Sequence, residues 1–158
     1  MGINKFVKIP HQIITTWFGV GYSKWGPGTM GSLAALPIAF IILELFGRLG
    51  LGIATALIFL LGIYSVQKYI QDIGEEDPSE AVIDEVAGQF IPLIIAPLTI
   101  HGWVTAFILF RLFDIWKPWP CNWLDKNVSG GIGVMLDDIA AGAYAALVIT
   151  GLTQIGVW

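Results

Sequence analysis

Charged residues punctuate this chain so sparsely that the stretches between them define its elements. From 30 to 43 the sequence is apolar, Glu44 and Phe46 close the run, and after the tight "GRLG" a second run covers 49 to 67. Each is near the ~20 residues that carry an α-helix across a bilayer, so the pair predicts an antiparallel helical hairpin turning at Arg48. A charged loop, "QKYIQDIGEED", follows, and then no Asp, Glu, Lys or Arg occurs from Val86 to Phe110. Pro92, Pro97 and the polar break from Thr99 to Gly102 divide that run into two helices, about 78–99 and 102–118, one long span being the alternative. Beyond the polar, Gly-containing "CNWLDKNVSGGIG" the last span is predicted over about 133–152. The pattern predicts an all-α, polytopic membrane helical bundle of about five spans, or four, with a re-entrant or interfacial N-terminal segment.

Five spans put the start of the first, the end of the second, the start of the third, the end of the fourth and the start of the fifth on one side. Every cluster of polar residues falls there. Lys5, Lys8, Lys24, Lys68, Lys117 and Lys126 lie on that side, against Arg48 and His101 on the other. The positive-inside rule then places the polar clusters in the cytoplasm. A single span over 86–110 would instead carry Asp114 to the face opposite Asp84.

Composition agrees with a bilayer. The 158 residues make one domain, 1–158, and 56% are hydrophobic, above the roughly 45–50% apolar content of soluble domains. A net charge of -4 leaves no basic patch, so no nucleic-acid partner is implied. The one cysteine, Cys121, excludes an internal disulfide and a CxxC zinc site, so any metal would be a hard ion held by oxygen. The N-terminal "MGINKFVKIPHQ" lacks the apolar core and cleavage site of a signal peptide, and Phe6 breaks the myristoylation pattern.

Four stretches carry candidate chemistry. In "DPSEAVIDEVAGQFIPLIIAP", Asp77 as cap, Pro78 at the first helical position and Glu80 three residues after the cap predict a helix start. Glu80 and Asp84 then share a face, Glu85 lies beside them, and their repulsion would be relieved by a bound cation or a basic ligand. A solvated helix end is the alternative. In "FRLFDIWKPWP", Arg111, Asp114 and Lys117 are spaced by three and form one stripe. An Arg–Asp pair that merely anchors the helix is the plainer reading, and Trp116, Trp119 and Trp123 read as interfacial belt residues. In "GGIGVMLDDIAAG" a glycine-rich loop delivers Asp137 and Asp138 to the last span, and Gly142 permits close approach of a neighbouring helix. In "GVGYSKWGPGTMGSLAALP", Lys24, Thr29 and Ser32 with turn N–H groups could cradle an anion, although a simple re-entrant turn reads equally from the glycines.

Carboxylates, Arg and Lys converging at one membrane interface suit Mg²⁺, which binds through one or two carboxylates, waters and substrate phosphate oxygens. Such an ion polarises a phosphoryl group and activates water, which points to lipid phosphate chemistry. A histidine phosphatase lacks its pair, because the chain has two histidines and His101 falls on the outer side. No Asp-x-Asp-x-Thr loop and no CDP-alcohol phosphotransferase pattern occurs. A small cation transporter or channel subunit would place its acids near mid-membrane in broken helices, whereas here every carboxylate except Glu44 lies at helix ends or in loops on one side.

At these four stretches the sequence resembles the bacterial phosphatidylglycerophosphatase A family, through "PGTMGSLAALP", "DPSEAVIDEVAGQ", "FRLFDIWKPWP" and "GGIGVMLDDIAAG", over nearly the whole chain. It departs at Lys24-Trp25, where a Pro/Ala-type pair is expected, so the resemblance carries no role onto Lys24. The resemblance implies Mg²⁺-dependent hydrolysis of phosphatidylglycerophosphate to phosphatidylglycerol and phosphate, in phospholipid biosynthesis, at the cytoplasmic face of the inner membrane. On matching positions it implies that Asp84, Asp137 and Asp138 hold Mg²⁺, with Glu85 or Asp114 as further ligand or general base. Arg111 and Lys117 would neutralise phosphate, and Thr29 and Ser32 would bind its oxygens. Water attack with Glu85 supplying a proton, and an aspartyl-phosphate on Asp84 or Asp138, are both open to these residues.

Overall fold

The computed structural model describes residues 10–158; Lys5, Lys8 and the signal-peptide and acylation readings of the N-terminus fall outside the described residues. The described residues contain helices and no strand. A short α1 (Pro10–Thr15) and a 3₁₀ turn (Val20–Tyr22) precede α2 (Pro27–Ile73), α3 (Ile83–Ile95), α4 (Ile100–Trp116), α5 (Cys121–Asn127) and α6 (Gly130–Gln154). Two of these, α2 and α6, are long and apolar enough to cross a membrane. With 13 and 17 residues, α3 and α4 fall short of the ~20 expected of a full span.

The expected hairpin is α2 broken at Gly47, whose φ of 66° and ψ of -169° leave the helical region. Those angles are essentially reserved to glycine. Gly26 with Pro27 opens the first arm, and Gly74, left-handed at φ 76°, closes the second by donating its N–H to Ile70 O. The two arms fold back on each other, because Gly28 at the start of the first and Glu76 just past the end of the second line the same cavity. At the opposite end Arg48 Nη1 donates to Ile95 O at 3.4 Å.

Between α3 and α4 the break falls where the prolines place it. The Ala96 N–H bonds Pro92 O to close α3, and Thr99 caps α4 by accepting from the Gly102 N–H at 3.1 Å. Lys117 ends α4 in the left-handed conformation, with its N–H on Phe113 O. The run from Val86 to Phe110 is thus divided into two helices, as its prolines predict.

The start of α3 does not follow the capping pattern. Asp77, Pro78 and Glu80 lie in a loop, and the helix begins at Ile83, because the Val82 N–H is taken by Thr15 O at 3.0 Å. Ala81 and Val82 are buried there against the N-terminal segment. Glu80 thus leaves the helical face it was expected to share with Asp84. That N-terminal segment sits at the polar end, with His11 Nε2 and Asp72 Oδ2 2.6 Å apart and Trp17 packed into the core.

Small residues sit among large apolar ones in the interior, and the exterior is greasy. Buried positions include Ala35, Ala39, Ser65, Ala87, Ala141 and Ala145, while Phe40, Leu49, Leu57, Ile108, Leu112 and Leu147 are exposed. Small residues let helices approach where hydrocarbon rather than water surrounds them. Trp25, Trp116, Trp119 and Trp123 are exposed around the polar end, as an interfacial belt requires. This is a membrane protein.

Candidate active site

One helix crossing assembles the centre. A Cβ at Gly142 would fall on the Gly88 carbonyl oxygen, and one at Gly88 would meet Asp138 O at 2.7 Å and the Phe110 ring at 2.6 Å. Only paired glycines allow α3 and α6 to meet so closely. Asp84 and Asp138 each lie four residues earlier, one turn above the crossing, and so face one another. With Glu85 they form a triad whose carboxylate oxygens come within 4.8 Å of each other.

The triad is short of partners. Asp84 Oδ1, Glu85 Oε2 and Asp138 Oδ2 are buried without a hydrogen bond. Among the described residues no Lys, Arg or His forms an ion pair with any of the three. The N-terminal end of α3 favours Asp84 and Glu85 through its dipole, but that contribution is about 1 kcal/mol and cannot balance three neighbouring buried carboxylates. Buried oxygens that lack donors, with no sulfur or nitrogen among them, fit a hard divalent cation.

Above the triad opens a cavity of about 610 Å³ with a charged rim. Arg111 pairs with Asp114 one turn on, and its Nε is buried without a partner. Lys117 Nζ donates to Asp125 and to Asp137, each at 2.7 Å. Burial works against the Lys117 charge, but its bonds to Asp125 and Asp137 outweigh that, so its pKa is held above the ordinary lysine range. Cys121 is buried, which with the Asp137 charge pushes its thiol up and keeps it unreactive.

The fourth wall is the start of α2. Gly26, Pro27, Gly28 and Thr29 line the cavity, and the first N–H groups of a helix have no intrahelical acceptor. No side chain caps them. A Cβ on Gly28 would strike the Glu85 carboxylate and come within 3.1 Å of Arg111 Nη1. An anion-seeking helix end, three cationic side chains (Arg111, Lys117 and Lys126) and an acidic pocket thus share one chamber.

A family model for phosphatidylglycerophosphatase A matches residues 13–153 of this chain. The chain belongs to the phosphatidylglycerophosphatase A family. It is 41% identical over 138 residues to the phosphatidylglycerophosphatase A of Escherichia coli strain K12, covering 87% of this chain and 80% of that one. With its Haemophilus influenzae namesake it shares 42% over 141 residues, 89% and 86% of the two chains. A Bacteroides thetaiotaomicron protein, named provisionally as a phosphatidylinositol-3-phosphatase, is 38% identical over 144 residues, 87% and 89% of the two chains. No solved structure matches the chain. Members of a phosphatase family need a phosphate site beside a catalytic one, and the chamber offers both chemistries.

The residues expected at the site separate into three groups. Asp84, Glu85 and Asp138 form the triad, while Asp114, Arg111, Lys117, Asp137 and Thr29 line the chamber around it. Asp137 turns from the triad to Lys117. Ser32, Lys24 and Glu80 do not line the chamber. The Ser32 hydroxyl is buried and donates to Gly28 O at 3.0 Å, Lys24 is exposed, and Glu80 sits on the loop before α3 with its backbone against Gly21. Sequence reasoning missed Asp125, whose link to Lys117 crosses a proline turn without periodic spacing, and Gly28, which the Pro-Gly-Thr helix start could have indicated.

Proposed function

We propose that this chain hydrolyses the terminal phosphomonoester of phosphatidylglycerophosphate to phosphatidylglycerol and phosphate, in phospholipid biosynthesis, with Mg²⁺. The observation that carries the reading is the unpartnered triad beneath a cationic rim and a bare helix N-terminus, in a chain of this family. Asp84 and Asp138 would hold the ion, and Glu85 beside them would carry a proton. When bound, Mg²⁺ supplies charge neutralisation at the phosphoryl group and a more acidic water.

The chain's own groups do the remainder. The Gly28 and Thr29 N–H groups and the Thr29 hydroxyl donate to phosphoryl oxygens. Arg111 and Lys117 oppose the charge that develops during transfer, and their carboxylate partners hold them at fixed depth. Glu85, less buried than Asp84 and Asp138, lies beside Gly28 and Arg111, where it can pass a proton to the departing glycerol oxygen.

The two arms of α2 with α3, α4 and α6 make five passages in this reading, the short α3 and α4 being extended by the segments that flank them. Lys117 and Lys126 at the chamber and Arg48 at the other end support a cytoplasmic active site in the inner membrane.

Phosphate release by the purified protein is the test, with Mg²⁺ or EDTA, on phosphatidylglycerophosphate and on phosphatidylinositol 3-phosphate. Mg²⁺-dependent release from the first substrate, lost in folded Asp84→Asn and Asp138→Asn, is expected. Release only from the inositol lipid would overturn the substrate, and release undiminished by EDTA would overturn the ion.

A further inference from the structure

A lipid phosphatase must place two long chains as well as a headgroup. Two apolar grooves run along the outside of α4. The first, about 410 Å³, lies between Leu33, Leu36 and Phe40 of the first α2 arm and Trp103, Val104 and Phe107 of α4. Its floor is closed by the edge-to-face contact of Phe40 with Trp103, centroids 6.0 Å apart. The second, about 380 Å³, is lined by Phe107, Ile108, Arg111 and Ile115 among others.

These grooves are linked to each other and to the chamber. Phe107 lines both grooves, and Arg111 lines both the second groove and the charged chamber. Ile100, Val104, Ile108, Arg111 and Ile115 follow three- and four-residue spacing, so a single face of α4 runs from the catalytic end toward the far end. From Arg111 back to Ile100 that face is about 17 Å long. Val104 and Leu33 are exposed at 50% and 41%, so the track opens to the surrounding hydrocarbon.

Resting on the phosphatase reading, we propose that this track seats one acyl chain of the substrate lipid, with Arg111 marking the point where chain gives way to headgroup. Hydrocarbon on both sides means that the groove gains little hydrophobic free energy from a tail. Its contribution is positional: a chain lying in the track fixes the depth and bearing of the phosphomonoester over the triad. Misplacement of a reacting group by about 1 Å can lower a rate by about a hundredfold.

The test compares long-chain with dihexanoyl phosphatidylglycerophosphate in Val104→Trp and Leu33→Trp, which fill the track. Leu57→Trp and Leu147→Trp, at exposed positions elsewhere, serve as controls. The long-chain to short-chain ratio of kcat/KM is expected to fall by about tenfold in the track variants alone. In parallel, phosphatidylglycerophosphate carrying a diazirine on its acyl chain is expected to crosslink to peptides containing Leu33, Val104 or Phe107. An unchanged ratio, or crosslinks equally dense with a diazirine phosphatidylcholine, would overturn the assignment and mark the groove as ordinary lipid-facing surface. Substrate-selective crosslinking without phosphate release would leave the track standing and sink the phosphatase reading.

Discussion

At the scale of single residues the triad is organised for function at the expense of stability. Asp84, Glu85 and Asp138 hold carboxylate oxygens within 4.8 Å, each with an unpartnered buried atom. Asp138→Asn is therefore expected to lower phosphate release by about 10²–10⁴-fold while raising thermal stability in EDTA by about 1–2 kcal/mol. Mg²⁺ at a hundredfold excess over its Kd should stabilise the wild type by about 2.7 kcal/mol and this variant by much less. Differential scanning fluorimetry in detergent with and without the ion reads both effects. Gly28→Ala is expected to cost about a hundredfold in kcat with unchanged circular dichroism, since its methyl displaces the Glu85 carboxylate. Side-chain type was legible in the sequence and side-chain partner was not. Adjacent Asp137 and Asp138 point about 100° apart on a helix, and the glycine crossing beneath Asp138 and the position of Lys117 beside Asp137 determine which one faces the triad.

Helices were legible where prolines, glycines and charges punctuate the chain. The hairpin break, the α3–α4 break and the last helix all follow such signals. The start of α3 was not, because Asp77-Pro78 and Glu80 supply a local cap that loses to a distant partner, Thr15 O on the Val82 N–H. At Gly47 a Cβ would meet nothing within 4 Å, so Gly47→Ala tests the backbone alone. It is expected to lose about 1–3 kcal/mol of stability in a denaturant titration in detergent, with no effect on the Mg²⁺ midpoint. Gly142→Val should lose as much through overpacking and, unlike Gly47→Ala, should also weaken Mg²⁺ binding as α3 and α6 separate.

Across the whole molecule many large apolar side chains stand on the outside, which fits a chain dissolved in lipid. The proposed orientation makes a direct prediction. A cysteine at Asp125 should react with a membrane-impermeant maleimide only from the cytoplasmic side, and one at Arg48 only from the opposite side, with buried Cys121 silent. Labelling in spheroplasts and in inverted vesicles distinguishes the two faces. The division into α3 and α4 was readable from the prolines, whereas their shortness was not, since no charge marks where one ends and the other begins across the 96–99 link.

The glycine crossing also has a mechanical meaning. From Gly142 to the carboxylate at Asp138 is about 6 Å along α6, and from Gly142 to its end at Gln154 about 18 Å. If α6 rocks on α3 about that contact, the crossing is a fulcrum and the triad sits on the short arm. A change in bilayer thickness that displaces the far end by about 3 Å moves the carboxylates by about 1 Å. The short arm thus reduces the movement threefold, yet the ~1 Å that reaches the carboxylates is still enough to change the rate.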